Sequence, residues 1–189
     1  MYILETERLI IRPFNSDDVA FLDYLHSDAD VTRYIGGRTR SHDENVAFIN
    51  TMQDLYTRNI GQLLVVRKSD NIPVGRTGFS CFYGVNDGDI SWYYWGSPEK
   101  VKKDGDIFEL AELGYSFAKA YWGKGYATEA AMAIKNQVYD KLGYQEFCSL
   151  IIKENIASIN VAKKLGAREI TPCMIDGKES LELRNVKYG

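Results

Sequence analysis

The sequence predicts an α+β fold, a mixed α/β arrangement in which strands and helices mingle without strict alternation. Three observations carry that expectation. Runs of β-branched and aromatic residues, among them Leu9–Arg12, Gln62–Lys68 and Glu146–Ile152, are bounded by turn residues. Two other stretches, 127–142 and 156–165, keep their apolar residues at helical spacing. Finally, 189 residues with 45% apolar and 26% charged content suffice for one domain over 1–189, with neither disulfides nor a structural metal needed to hold it.

Taken in order, Leu9-Ile10-Ile11-Arg12-Pro13 reads as a first strand. Ser16-Asp17-Asp18 then offers an N-cap and early negative charge to a helix with Val19, Leu22 and Leu25 on one face. Ser41 and Glu44 have capping-box spacing and open a second helix through Val46, Ile49 and Leu55. Gln62–Lys68 and Val74–Tyr83, around the turn Ser69-Asp70-Asn71, read as a hairpin.

The segment from Gly84 to Asp106 holds Trp92-Tyr93-Tyr94-Trp95 and then Lys100-Val101-Lys102-Lys103. Three readings fit it: a strand or hairpin packing its rings on the core beside a solvated lysine turn, a single-strand stacking surface, or an aromatic wall of a substrate pocket. Ile107–Ala118 is strand-like, with Phe108, Leu110, Glu112, Gly114 and Ser116 on one side. The turn Tyr121–Gly125 leads into a helix with Ala127, Ala130, Ala131, Ile134, Val138 and Leu142 on one face and Gly143 as its stop. Glu146–Ile152 is the next strand, and Asn155 caps a helix carrying Ile156, Ile159, Ala162 and Leu165. Two strands near Arg168–Thr171 and Glu179–Val186 flank a turn at Asp176-Gly177.

Composition excludes several classes. The net charge of −3 lacks the basic excess that phosphate-backbone binding requires, so no nucleic acid partner is expected. Cys81, Cys148 and Cys173 are odd in number and far apart, and only His26 and His42 are present, so no metal is expected. The longest apolar run, Ala130–Ile134, is five residues and no basic start precedes an apolar stretch; no membrane association and a cytoplasmic address are expected. A monomer and a homodimer both fit.

The strand, glycine turn and helix between Glu112 and Leu142 have the form of an anion site, because free N–H groups and the helix dipole meet where glycine lets a phosphate approach. Gly123 and Gly125 fit a plain tight turn equally well. A P-loop is excluded because Gly125 follows Lys124, and a dinucleotide fingerprint because Thr128 stands where its third glycine belongs.

Tyr121-Trp122-Gly123-Lys124-Gly125-Tyr126-Ala127-Thr128-Glu129-Ala130, preceded by Glu112-Leu113-Gly114-Tyr115 and followed by Asn155-x-x-Ser158 and Lys164-Leu165-Gly166-Ala167, resembles the GNAT acetyltransferases. The branch it is most similar to comprises the ribosomal-protein N-terminal acetyltransferases, and the resemblance extends to Thr6-Glu7-Arg8-Leu9-Ile10-Ile11-Arg12-Pro13. It implies a mostly antiparallel, splayed sheet flanked by helices, acetyl-CoA as cosubstrate, no metal, and an acceptor that is a peptide N-terminus or a small-molecule amine. Gly84 to Asp106 then becomes a family-variable insert.

The resemblance also implies roles. The cofactor's pyrophosphate falls to Trp122, Gly123, Lys124, Gly125, Tyr126, Ala127 and Thr128, with Trp122 standing where the family has Gln or Arg. Its pantetheine arm falls to the strand end at Tyr115, Phe117 and Ala118, and its far side to Asn155 and Ser158. An amine must lose a proton to attack a thioester, so a general base is wanted. Glu112 is the first candidate, with an ordinary strand-edge ion pair as its alternative; Glu179 and Glu182 could serve instead. The tyrosine that relatives carry seven residues after the asparagine is Ala162 here, which leaves Ser158 as the acid or as a serine bonding its own backbone. Trp92, Trp95 and Glu179 are the candidate acceptor contacts. Direct transfer in a ternary complex follows, with a non-catalytic acyl-CoA sensor as the rival reading.

Overall fold

A computed structural model describes residues 3–88, 90–141, 143 and 145–187, the side chains of Lys141 and Glu169 excepted. Leu142, expected on a helix face, and Met1 and Tyr2 lie outside the described residues. The chain forms two compact units, Met1–Gly78 with Tyr115–Ile134, and Phe79–Gly114 with Lys135–Gly189. The secondary structure is the mixture of helix and strand that the sequence predicts.

In the first unit, β1 (Leu4–Glu5), β2 (Leu9–Arg12), β3 (Gln62–Arg67) and the start of β4 (Ile72–Asp87) pair antiparallel in chain order. The expected hairpin is present; β4 begins two residues earlier and runs longer than the sequence suggests. Helices α1 (Val19–Ser27), α2 (Ala29–Thr32) and α3 (His42–Tyr56) supply the other half of the core. Leu22, Leu25, Phe48, Ile49 and Met52 pack there with Leu64 and Val66. Each such side chain removed from water contributes about 1.5–3 kcal/mol.

Two helix details differ from expectation. The first cap is Asn15 rather than Ser16: its side chain accepts from Asp17 N–H, Asp18 closes the box, and a 3-10 turn (Ser16–Asp18) precedes α1. Ser41 and Glu44 do form their capping box, yet Val46 is exposed, and Asn45, Phe48 and Met52 join the expected Ile49 in the buried stripe. Asn45 is buried because it joins two helices. Its amide nitrogen donates to Asp23 at 2.8 Å, so its oxygen must accept from Nδ1 of the fully buried His26 at 2.6 Å, which fixes that ring's tautomer.

The second unit is built on strands. The end of β4 pairs with β5 (Ile90–Trp95), β5 runs parallel to β8 (Glu169–Ile175), and β8 pairs with β9 (Lys178–Val186). β9 pairs with β7 (Glu146–Ile152), and β7 is parallel to β6 (Phe108–Phe117) through the register pair Glu112↔Cys148. β4 also pairs with β6, so the run of strands returns to its start. The contact is close: a Cβ on Gly84 would lie 2.4 Å from the Phe108 ring.

Gly84 to Asp106 is therefore sheet for much of its length, with Tyr93 and Tyr94 buried, as the core-packing reading anticipates. Asp176 and Gly177 both have positive φ, the two-residue turn whose twist suits a hairpin, and they set the β8–β9 register. Helix α4 (Tyr126–Lys141) leads towards Gly143, and α5 (Ile156–Lys164) places Ile159 and Ala162 against Ile151 and Leu183. Ile156, expected on that apolar face, is exposed because it occupies the first helical position, outside the packed turn.

Candidate functional site

In the first unit, the end of β6 delivers the chain to a glycine loop. Ala118 N–H donates to the Val74 carbonyl at 3.0 Å, which anchors the strand end on β4. Strand geometry turns the neighbouring Phe117 carbonyl to the opposite edge. There it accepts from the Trp122 indole N–H at 2.6 Å. At the strand end expected to serve a pantetheine arm, this carbonyl thus already accepts one hydrogen bond and keeps a second lone pair. Trp122 itself is about half exposed, and its single donor is spent.

Gly123 and Gly125 have φ of +72° and +82°, values that side chains adopt only under strain. A Cβ on Gly123 would meet nothing within 4 Å, so the loop's outer surface is open to an incoming group. The chain then enters α4 at Tyr126. Among the described residues, the helix's first main-chain bond is Glu129 N–H to the Gly125 carbonyl at 3.0 Å. The N–H groups ahead of it are those that a helix leaves without internal acceptors. The donor set therefore fits a phosphate, with main-chain N–H groups at a helix dipole and Lys124 exposed beside them.

Two residues that the sequence pattern does not pair brace this loop. Arg8 donates through Nε to Glu129 at 2.7 Å and through Nη1 to the Lys124 carbonyl at 3.1 Å. Thr6 Oγ and the Arg8 N–H take the other Glu129 oxygen at 2.5 and 3.0 Å. Thr6, Arg8 and Glu129 all lie within the recognised motifs, but more than a hundred residues separate the partners.

In the second unit, register places Glu112, Cys148 and Arg184 in one row across β6, β7 and β9. Glu112 is buried at 8% exposure, on the face where Tyr93, Leu110, Leu150 and Cys173 cluster. Glu182 lies on the same face two residues along β9, also buried, accepting from Tyr93 at 2.7 Å and from Arg184 Nε at 2.6 Å. Burial first, then the Glu112 and Glu182 charges, hold the Cys148 thiol far above its ordinary range; burial pushes Cys173 up to about 12.

The remaining predicted residues lie in the second unit, where register sets Trp92 and Glu179 in one row on either side of Met174. Asn155 caps α5 by accepting from Ser158 N–H at 3.2 Å, so the pair is one local turn. Ala162, at the position where relatives carry tyrosine, is fully buried. Glu179 is exposed and ion-paired with Lys153 at 3.4 Å, well apart in character from the buried Glu182. Lys103 lies 4.3 Å over the Trp92 ring and Lys100 5.1 Å over Trp95, so both rings already carry a cation. Among the described residues no group of His, Cys, Asp and Glu could hold a metal ion, and no helix is long and apolar enough to cross a membrane.

The family model of the acetyltransferase (GNAT) domain matches residues 8–168. The chain belongs to the GNAT acetyltransferases. As a member of that family it is an acetyltransferase. YnaD of Bacillus subtilis (strain 168), named an uncharacterized N-acetyltransferase, is 25% identical over 179 residues, 93% of this chain and 90% of the relative. A GNAT-family acetyltransferase from Bacillus anthracis has the same fold, with a TM-score of 0.73, 22% identity and 98% of each chain covered. So does RimL, a ribosomal L7/L12 alpha-N-protein acetyltransferase solved with coenzyme A, at a TM-score of 0.70 and 15% identity over 98% of each chain. The ribosomal-protein branch named from the motifs is thus among the structural neighbours of this GNAT chain.

Proposed function

We propose that this GNAT chain moves an acetyl group from acetyl-CoA to a primary amine, a protein N-terminal α-amine or a small-molecule amine, by direct attack in a ternary complex. The observation that carries the reading is the open glycine loop Trp122–Ala127 at the start of α4, inside a chain that matches the family from residue 8 to 168. Bound acetyl-CoA would supply a thioester carbonyl and a thiolate leaving group. Gly123, Lys124, Gly125, Tyr126, Ala127 and Thr128 hold its phosphates through main-chain N–H groups, with Trp122 packing beside them. Tyr115, Phe117 and Ala118 line the arm. Asn155 and Ser158 contribute from the first turn of α5.

Glu112 takes the proton that the attacking amine sheds. Its buried place on β6, the strand whose end leads into the glycine loop, supports that role. Ser158 has the hydroxyl to return a proton to the departing thiolate. Cys148 and Cys173, held protonated by their surroundings, are poor nucleophiles, which favours direct transfer over an acetylated enzyme. Trp92, Trp95 and Glu179 are assigned to the acceptor, and the chain works as a cytoplasmic monomer or homodimer.

The test is a calorimetric titration with acetyl-CoA followed by detection of free thiol with a panel of peptide and small-molecule amines. Binding and thiol release with at least one amine class support the reading. Binding without release across the panel points to a sensor, and an acetyl group trapped on a cysteine as a competent intermediate overturns direct transfer.

A further inference from the structure

A loop that binds an anion through main-chain N–H groups has two enemies close at hand, its own carbonyl oxygens and any neighbouring carboxylate. This loop has both. Glu129 lies in the first turn of α4, where its charge suits the helix dipole but opposes a phosphate brought to the same N–H groups. The Lys124 carbonyl sits between the two glycines.

Arg8 answers both with one side chain. Its Nε and Nη2 reach Glu129 Oε2 at 2.7 and 2.6 Å while Nη1 takes the Lys124 carbonyl at 3.1 Å. Its own N–H and the Thr6 hydroxyl occupy Oε1, so both carboxylate oxygens are committed. The guanidinium lies 4.6 Å over the ring of Tyr126, and Nη2 would stand 3.4 Å from a Cβ on Gly125. A second guanidinium, Arg67, bonds Tyr126 as well but is tied to Asp70. Trp122, where the resemblance leads one to expect Gln or Arg, has already spent its donor on Phe117.

We propose that Arg8 is a positioning residue for phosphate binding: it neutralises Glu129 and holds the Lys124 carbonyl aside, so that the loop presents only N–H groups to the anion. The proposal rests on the reading of this loop as the cradle of the coenzyme's pyrophosphate. Its signature is charge compensation. Removing Arg8 alone leaves a carboxylate facing the phosphate, whereas removing Arg8 and the Glu129 charge together takes the repulsion away again.

The experiment measures dissociation constants of coenzyme A and of pantetheine, which has no phosphate, for the wild type, Arg8→Met, Glu129→Gln and the double variant, with thermal melts alongside. Arg8→Met is expected to weaken coenzyme A by about tenfold, the effect of ~1.4 kcal/mol of uncompensated charge, and to leave pantetheine unchanged. The double variant recovers most of that loss. Coenzyme A binding that is unaffected by Arg8→Met, a double variant no better than the single one, or a parallel loss of pantetheine each overturns the proposal. If Arg8→Met does not fold, Glu129→Gln decides: affinity for coenzyme A equal to or above wild type supports compensation, and a loss refutes it. A wild-type chain that binds no coenzyme A sinks the loop reading itself and this proposal with it.

Discussion

Tyr93 donates its phenolic hydrogen to Glu182 at 2.7 Å, and both residues are 2% exposed. A carboxylate that deep in the second unit depends on its donors, here Tyr93 and Arg184. Tyr93→Phe is expected to destabilise the protein by about 1–3 kcal/mol in urea unfolding, because an acceptor is left without its partner in a dry site. Tyr93→Phe combined with Glu182→Leu should regain part of that loss. A single variant indistinguishable from wild type would show that Glu182 relies on Arg184 alone.

Glu112→Gln isolates the proposed base. Turnover should fall by about 10²–10⁴-fold while acetyl-CoA affinity stays within a factor of about two, since the amide keeps the shape and loses the basicity. The acidic limb of the kcat/KM profile should disappear with it. If turnover survives, Glu182 becomes the carboxylate to replace next.

The lysines over Trp92 and Trp95 bear on the acceptor. A cationic amine that uses those ring faces competes with Lys103 and Lys100. Lys100→Met with Lys103→Met should therefore lower the acceptor KM, by about two- to fivefold for exposed cation–π contacts, and Trp92→Ala should raise it. Unchanged acceptor kinetics in both would remove these rings from the site.

His26 and His42 should titrate on opposite sides of the ordinary value. Burial, reinforced by the Arg76 charge, lowers His26 from 6.5 to about 3; the hydrogen bond that the His42 ring donates to the Asp23 carboxylate raises His42. The depressed group contributes stability that is fully present above 6.5 and is lost as pH falls from there towards 3, by at most ~1.4 kcal/mol per pH unit. The raised group works in reverse, present below 6.5 and lost as pH rises through its folded value. Imidazole NMR should show His26 neutral at pH 5 (about 2 units above its folded value) and His42 protonated there. A His26 ring that titrates near 6.5 would contradict its burial.

Much of this molecule is legible in its sequence because local physics dictates it. Ser41 with Glu44, Asn155 before Ile156, and Asp176-Gly177 carry their caps and turn in adjacent residues. Asn15 and Ser16 are residue types that cap equally well, and only the geometry of the 3-10 turn chooses Asn15. Val46 and Ile156 fit helical spacing, yet spacing does not reveal which turn of a helix finds a partner. For the site, the glycine loop is written in one stretch of sequence. Arg8 with Glu129 and Tyr93 with Glu182 are joined by the fold across 121 and 89 positions, and no local pattern encodes such pairs.

Trp122 has a further consequence. Of the three tryptophans, Trp92 and Trp95 lie under lysines in the second unit, whereas Trp122 is the single indole of the first. Hydrogen-bonded to Phe117 and half open to solvent, it makes the glycine loop its own fluorophore. With Trp92 and Trp95 changed to phenylalanine, emission from that one ring becomes a label-free optical signal for whatever arrives at the loop.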